Sequence, residues 1–230
     1  MKRTFVRHAA NLLAVVAAST ASVGTSAVAT PVFGARSFSG GNWGGYVSFG
    51  SFTTATASWT EPSVTCTSTD DVLAPWVGID GDGSSTVEQT GVVTDCSSGS
   101  PVYQAWYEMY PAAPVYYSNA VGAGDKISAT VTRTGTNTYQ LTISDTTKGW
   151  SRTVIKSLNS RHSSAEAIIE SPTDRYPGIS GGMRFTGVRF NGTNLADTSP
   201  SGLDADDMGL YTWSPSAIAS DGTDFTMTRH

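Results

Sequence analysis

Apolar and polar residues alternate along much of the chain, most clearly between positions 125 and 155. Ile127, Ala129 and Val131 would point to one side of an extended strand, and the serine and threonines between them to the other. The segment "TGTN" then turns the chain, and a second alternating run begins at Tyr139. This pattern predicts a meander of antiparallel strands.

Other segments repeat this pattern, while helical periodicity is nearly absent after residue 30. "MRFTGVRFNG" and "DFTMTR" predict two further strands, and "STVEQTGVV" (85–93) predicts one with Gln89 in its middle. Many short strands in a chain rich in Gly, Ser, Thr and Val favour an all-β fold. We therefore predict a β-sandwich of two antiparallel sheets, with a jelly roll as a related possibility.

The N-terminus has the pattern of a secretory signal peptide over residues 1–29. A basic start is followed by the apolar run "LLAVVAA" and by the small residues of an A-x-A cleavage site at 27–29. The run is too short to span a bilayer, so we expect a secreted, extracellular product without a membrane anchor. Residues 30–41 are predicted to be a flexible lead-in or short pro-segment, and residues 42–230 a single domain.

Charge and cysteine content narrow the class of protein further. Without the signal peptide, 11 basic side chains face 19 acidic ones, which gives a net charge of −8. Such an acidic chain is not expected to bind nucleic acid, and we expect a monomer. Cys66 and Cys96 are the only cysteines, and export predicts a disulfide between them, with a stabilisation of roughly 3 kcal/mol.

Several catalytic chemistries lack the residues that they need. After the signal peptide only His162 and His230 remain, with no G-x-S-x-G or H-E-x-x-H motif and no phosphate-binding glycine loop. "DGDGSS" resembles part of a calcium loop, but the spacing and the closing Glu are missing. We therefore expect neither a metal nor a cofactor, and carboxylates and amides remain as candidate catalytic groups.

Three of the five glutamates that follow residue 30 lie in apolar or aromatic surroundings. Glu108 lies in "QAWYEMYP", and Glu166 and Glu170 lie in "SSAEAIIESP". A strand would place Glu166 and Glu170 on one face and Ala167 and Ile169 on the other. The acidic face is either a solvated edge or the floor of a cleft that holds a carboxyl of raised pKa.

Six segments, in this order, together resemble the glutamic peptidase (eqolisin) family: "NWGGYV", "PWVGIDG", "EQTG", "AWYEMYP", "GDKISATV" and "AEAIIESP". They span residues 42 to 172, and the later part of the chain matches only loosely. The resemblance implies two curved antiparallel sheets with a concave substrate cleft. It also implies an acid-acting endopeptidase that needs no metal or cofactor and cleaves polypeptide substrates.

The resemblance also implies roles for individual residues. Gln89 would stabilise the oxyanion, and Glu166 would act as general base and then general acid on water and the leaving nitrogen. An amide stays neutral at any pH, so it does not compete with the glutamate for the proton. The residues that match substrate-cleft positions of the family are Trp76, Asp80, Glu108 and Tyr110.

Some of these assignments have simpler alternatives. Asp80 fits a turn residue equally well, and the aromatic residues could serve packing alone. The family usually has Trp after the catalytic Glu, where this chain has Ala167. On an alternating strand Ala167 would point away from Glu166, so we expect a change in packing and no lost catalytic group.

Two other functions fit an exported β-sandwich. The first is a carbohydrate-binding module that binds without cleaving. The second is a glycosidase with Glu166 and either Glu108 or Glu170 as its paired acids. A glycosidase needs two carboxylates and has no use for Gln89, so substitution of the glutamine separates it from a glutamic peptidase.

Overall fold

The computed structural model describes residues 41–230. The predicted signal peptide and all but the last residue of the predicted lead-in lie outside the described residues, and both stay predictions. The described residues form eighteen strands and one 3₁₀ helix at Leu195–Thr198. The strands are β1 (Trp43–Phe49), β2 (Thr54–Thr60), β3 (Val64–Thr65), β4 (Val72–Ile79), β5 (Val87–Asp95), β6 (Val102–Tyr110), β7 (Val115–Ala120), β8 (Lys126–Gly135), β9 (Thr138–Asp145), β10 (Trp150–Ser157), β11 (Ser164–Glu170), β12 (Gly178–Ile179), β13 (Met183–Phe190), β14 (Thr193–Asn194), β15 (Ser201–Leu203), β16 (Ala205–Asp207), β17 (Tyr211–Pro215) and β18 (Phe225–Arg229).

Two large antiparallel sheets contain most of these strands. The seven-stranded sheet has the order β15-β1-β11-β4-β5-β6-β7. The nine-stranded sheet has the order β10-β9-β8-β2-β13-β18-β17-β16, with β14 paired to β13. The predicted all-β sandwich of antiparallel sheets is confirmed, as are the meander of β8, β9 and β10 and the strands β13 and β18.

The main hydrophobic core lies between the two sheets. Strands β8 and β9 alternate between buried and partly exposed residues, and Ile127, Val131 and Leu141 are among the buried ones. The intervening polar residues pair across the strands through their hydroxyl groups, as between Thr56 and Thr130. The alternation is the one expected where one face of a sheet meets a core and the other meets water.

The three central strands of the seven-stranded sheet do not alternate in burial. β4 and β11 are buried at every position, and β5 at every position except its last. A second apolar cluster explains this, because its residues come only from the seven-stranded sheet and include Trp43, Trp76 and Trp106. It lies on the face turned away from the core, which is called the site face below.

The predicted disulfide joins Cys66 to Cys96 and is confirmed. Its loop encloses β4 and β5, two neighbouring strands of the seven-stranded sheet. The backbone also closes this loop, because the N–H of Cys96 donates a hydrogen bond to the carbonyl of Asp71. The covalent link therefore fixes the ends of the two strands.

Candidate active site

Strand register places four residues in one row across the site face. Glu166 on β11 lies opposite Gly78 on β4, and Gly78 lies opposite Gln89 on β5. Gln89 in turn lies opposite Glu108 on β6. Residues that pair across antiparallel strands point to the same face of a sheet. Three polar side chains that lie far apart in sequence therefore meet on one face.

Gln89 and Glu108 form a direct hydrogen bond. The Nε2 of Gln89 donates to Oε2 of Glu108 over 2.7 Å, and both side chains are fully buried. A bond to a carboxylate oxygen fixes the orientation of the amide, because only its NH₂ group can donate. The amide has a second hydrogen that this bond does not use. A developing oxyanion can accept a hydrogen bond from that second hydrogen.

Glu166 is also fully buried and has few hydrogen bonds among the described residues. Its Oε1 lies 3.5 Å from the backbone nitrogen of Asp82, and its Oε2 has no hydrogen-bond partner within residues 41–230. Burial raises the pKa of Glu166 well above its usual range; hydrogen bonds with the Ser164 side chain and the backbone of Asp82 lower it by less, and the negative charges of Asp80 and Asp82 raise it slightly. A carboxylate in this setting is a strong proton acceptor when ionised.

Apolar walls surround this polar row. Trp43 and Trp76 pack edge to face, with ring centroids 4.8 Å apart, and Trp106 belongs to the same cluster. Tyr110 and Tyr116 are partly buried against it. A peptide has both apolar side chains and polar backbone groups, so this mixture of aromatic rings and a few convergent polar groups is suited to binding one.

Glu170 holds one of these rings in place. Its Oε2 accepts a hydrogen bond from the indole N–H of Trp76 over 3.0 Å, and its Oε1 accepts one from the Asn42 side chain over 3.2 Å. Sequence reasoning placed Glu170 on the same face as Glu166 but gave it a role only in the glycosidase alternative. Trp43 was missed as a site residue, although it lies in the motif "NWGGYV".

Asp80 accepts hydrogen bonds from the loop that leads into β11. Its two carboxylate oxygens accept from the backbone N–H groups of Arg161, His162 and Ser163 at 2.6 to 2.9 Å. Asp80 itself has a φ of 63°, a conformation that Asp tolerates in turns. These bonds show a local role for Asp80 in positioning β11, and its predicted contact with substrate stays a prediction.

The structure separates Gln89 from its neighbour Glu88. Successive residues on a strand point to opposite faces, so Glu88 points toward the core side of the sheet. Burial and, to a smaller extent, the carboxylate of Asp80 raise the pKa of Glu88 to about 8, although a hydrogen bond with the Ser160 side chain lowers it in part. Glu88 is therefore a buried acid outside the candidate site.

The residue that replaces the family's tryptophan also points as expected. Ala167 lies in the core cluster while Ile168 lies in the site-face cluster, so Ala167 points away from Glu166. Trp106 and Tyr107 are likewise on opposite faces. No group of three or more His, Cys, Asp and Glu side chains placed to hold a metal ion occurs within residues 41–230.

Comparison with known proteins assigns the chain to a family. The model of the Peptidase A4 family matches residues 41–227, so the chain belongs to that family. The resemblance to the glutamic peptidases is thereby confirmed. Within the described residues, no helix is long and apolar enough to cross a membrane.

Two fungal relatives share part of the sequence. The chain is 37% identical to scytalidopepsin B of Scytalidium lignicola over 138 residues, which is 56% of this chain and 51% of that protein. It is 32% identical to aspergillopepsin-2 of Aspergillus niger over 155 residues, 56% of this chain and 55% of that protein. The chain thus spans about half the length of the curated relatives it matches.

Solved structures agree with this placement. A crystal structure of scytalido-glutamic peptidase with a transition state analog inhibitor superposes with a TM-score of 0.69 and 25% identity. The superposition covers 83% of this chain and 98% of the scytalido-glutamic peptidase chain. The aspergilloglutamic peptidase of Aspergillus niger gives a TM-score of 0.56 at 28% identity, over 70% of this chain and 99% of that one.

Proposed function

We propose that this protein is a glutamic endopeptidase that hydrolyses peptide bonds with Glu166 and Gln89. The observation that carries the proposal is the register row, which brings these two side chains onto one face across three neighbouring strands. Membership of a peptidase family supports it. Two further facts support it: the relatives are named as peptidases, and the similar scytalido-glutamic peptidase structure contains a transition state analog inhibitor.

Peptide hydrolysis needs a nucleophilic water and a stabilised tetrahedral oxyanion. Ionised Glu166 takes a proton from the water as it attacks the carbonyl carbon, and then gives that proton to the leaving nitrogen. The free N–H of Gln89 donates a hydrogen bond to the oxygen of the tetrahedral intermediate. One such donor typically contributes a factor of about 10² to 10³ in rate.

Glu108 has a supporting role in this proposal. Its hydrogen bond holds the NH₂ group of Gln89 in one orientation, so that the second N–H is already aimed before substrate arrives. A donor that does not have to reorganise during the reaction stabilises the developing charge more effectively. Trp76 and Tyr110 would contact the side chains of the bound polypeptide.

The working pH follows from two opposing effects. Protonation of Glu166 removes the proton acceptor at low pH. Burial meanwhile raises the pKa of Glu61 to about 7 and that of Glu88 to about 8, so their contribution to stability is lost as the pH rises through neutrality and these groups ionise. We therefore expect activity on the acidic side of neutrality, from a secreted monomer that needs no metal or cofactor.

The test is digestion of acid-denatured casein by the purified secreted chain between pH 2 and 7. Pepstatin is included to exclude contaminating two-aspartate proteases, and Glu166→Gln and Gln89→Ala are run in parallel. Pepstatin-resistant cleavage that both substitutions abolish is the expected result. Cleavage that survives Glu166→Gln would contradict the assignment of the base.

The alternatives predict other results in the same experiment. A folded, disulfide-bonded chain that cleaves nothing at any pH but binds polysaccharides would be a carbohydrate-binding module. Hydrolysis of a glycoside that requires Glu166 and Glu108 or Glu170, and that tolerates Gln89→Glu, would indicate the glycosidase. Either result would overturn the peptidase proposal.

A further inference from the structure

Between the two proposed catalytic residues the register row contains a residue without a side chain. Gly78 lies on β4, directly between Glu166 on β11 and Gln89 on β5. Neighbouring strands are about 4.8 Å apart, so the backbones that carry Glu166 and Gln89 are separated by roughly 10 Å. A side chain at position 78 would project from the sheet into that gap.

The backbone conformation does not explain the glycine. Gly45 and Gly81 have φ values of 145° and 124°, which other residues rarely adopt, whereas Gly78 is not among the positive-φ residues. Any residue could therefore adopt the backbone conformation at position 78. Glycine weakens a strand interior and often marks a place where a ligand or another group approaches the backbone closely.

On the site face, neighbouring atoms leave little room for a side chain at Gly78. A Cβ atom built there would lie 2.9 Å from Cζ3 of Trp76, 3.1 Å from the backbone oxygen of Glu88 and 3.2 Å from Cβ of Gln89. The Trp76 ring cannot easily retreat, because its N–H donates a hydrogen bond to Glu170 and the ring makes a T-shaped contact with Trp43. The bare backbone of Gly78 thus forms the floor between the Trp76 ring, Gln89 and Glu166.

We propose that Gly78 is a positioning residue whose missing side chain keeps open the space for the scissile peptide bond and the attacking water. Its bare backbone lets the substrate carbonyl lie low enough to reach the free N–H of Gln89, with the water on the Glu166 side. This inference rests on the proposed peptidase function. It adds a steric requirement between the two catalytic side chains.

The direct test is Gly78→Ala, measured as kcat and KM on a peptide substrate, with the melting temperature of each protein. A displacement of about 1 Å at a reacting centre costs on the order of 100-fold in rate, so we expect kcat to fall by about that factor. Gly178→Ala on β12 is the matched control. Its nearest non-neighbouring atom would lie 3.5 Å from the new Cβ, and its activity should not change.

A competing explanation is that Gly78 only makes room for Trp76. The background variant Trp76→Leu separates the two, because it removes the ring that the new methyl group would meet. We expect Gly78→Ala to reduce kcat by a similar factor in that background. The double variant also keeps the test decisive if Gly78→Ala alone fails to fold.

Two results would overturn the inference. One is a folded Gly78→Ala protein whose kcat lies within about threefold of the unsubstituted chain. The other is a penalty that disappears in the Trp76→Leu background. Activity of the unsubstituted chain that is lost in Glu166→Gln and Gln89→Ala is established first, so that failure of this inference is distinguished from failure of the proposed function.

Discussion

Two regions of the molecule, the β8–β9 hairpin and the central strands β4, β5 and β11, use the same extended backbone in different ways. The hairpin buries one face and partly exposes the other, and its inward residues are apolar or aromatic except for Asp145 at the end of β9. The central strands are buried on both faces, and their second face includes Gln89, Glu108 on the adjacent β6, and Glu166. The candidate site is therefore marked by several buried polar side chains that converge on one face, whereas the hairpin has a single buried carboxyl at its end.

The physical cost of the two regions differs accordingly. Burying an apolar side chain stabilises the fold, whereas burying a carboxyl opposes its ionisation and raises its pKa. The buried carboxyls of the site face therefore lower the stability of the fold but provide reactive groups. The hairpin stabilises the fold and provides no catalytic group. Substitutions in the two regions should therefore separate effects on activity from effects on stability.

Glu166→Gln should have the largest effect on activity, because it removes the proton acceptor and keeps the shape of the side chain. We expect kcat/KM to fall by about 10³-fold or more, with the melting temperature unchanged or raised. The matched control is Glu88→Gln, which alters a buried glutamate on the core side. A comparable loss of activity in folded Glu88→Gln would contradict the division between the two faces.

Ile143→Ala should lower stability and leave activity nearly unchanged, the reverse of Glu166→Gln. Ile143 is fully buried between the sheets, so its truncation leaves a cavity and should lower the free energy of unfolding by about 2–5 kcal/mol. Activity per folded molecule should stay within about twofold. Urea titration measures the stability, and Thr142→Ala on the outer face of the same strand is the control, expected within about 0.5 kcal/mol.

The pH dependence of stability should come from the buried acids. The pKa values of about 7 for Glu61 and about 8 for Glu88 exceed their ordinary value of 4.5, so the folded state holds protons that the unfolded chain releases. The contribution of these two groups to stability is then fully present below about pH 4.5 and is lost as the pH rises toward 8.

Melting temperatures measured from pH 4 to 8 check this prediction, and a fall of roughly 10 °C is expected. The net negative charge of the chain also disfavours the compact state as pH rises. Glu88→Gln distinguishes the two causes, because it removes one raised pKa and should flatten the curve between pH 5 and 8. A melting temperature that rises with pH would contradict the prediction.

Asp82→Asn should have the smallest effect. The negative charge of Asp82 contributes to the raised pKa of Glu166, so its removal should lower that pKa. The acidic limb of kcat/KM should then move to lower pH by a fraction of a unit, while kcat at the plateau changes little. Asp70→Asn, in an exposed turn, is the control, and an upward movement of the limb in Asp82→Asn would contradict the base role of Glu166.

Local sequence alone was enough to predict the strands in which apolar and polar residues alternate without interruption. Alternation at Ile127, Ala129 and Val131 predicted the β8 face that packs in the core, because a period of two follows directly from extended backbone. The same rule predicted that Ala167 and Glu166 point to opposite faces of their strand. The predicted signal peptide and the presence of two cysteines were enough to predict the Cys66–Cys96 disulfide.

Only the tertiary structure shows which strands are neighbours and in what register they pair. Glu166 and Gln89 are 77 positions apart, and only the order β11-β4-β5 places them on either side of Gly78. Burial of Glu170 against Trp76, and the hydrogen bonds of Asp80 to the loop before β11, also depend on contacts between distant segments. Local pattern cannot specify these contacts, because strand pairing is a property of the whole sheet.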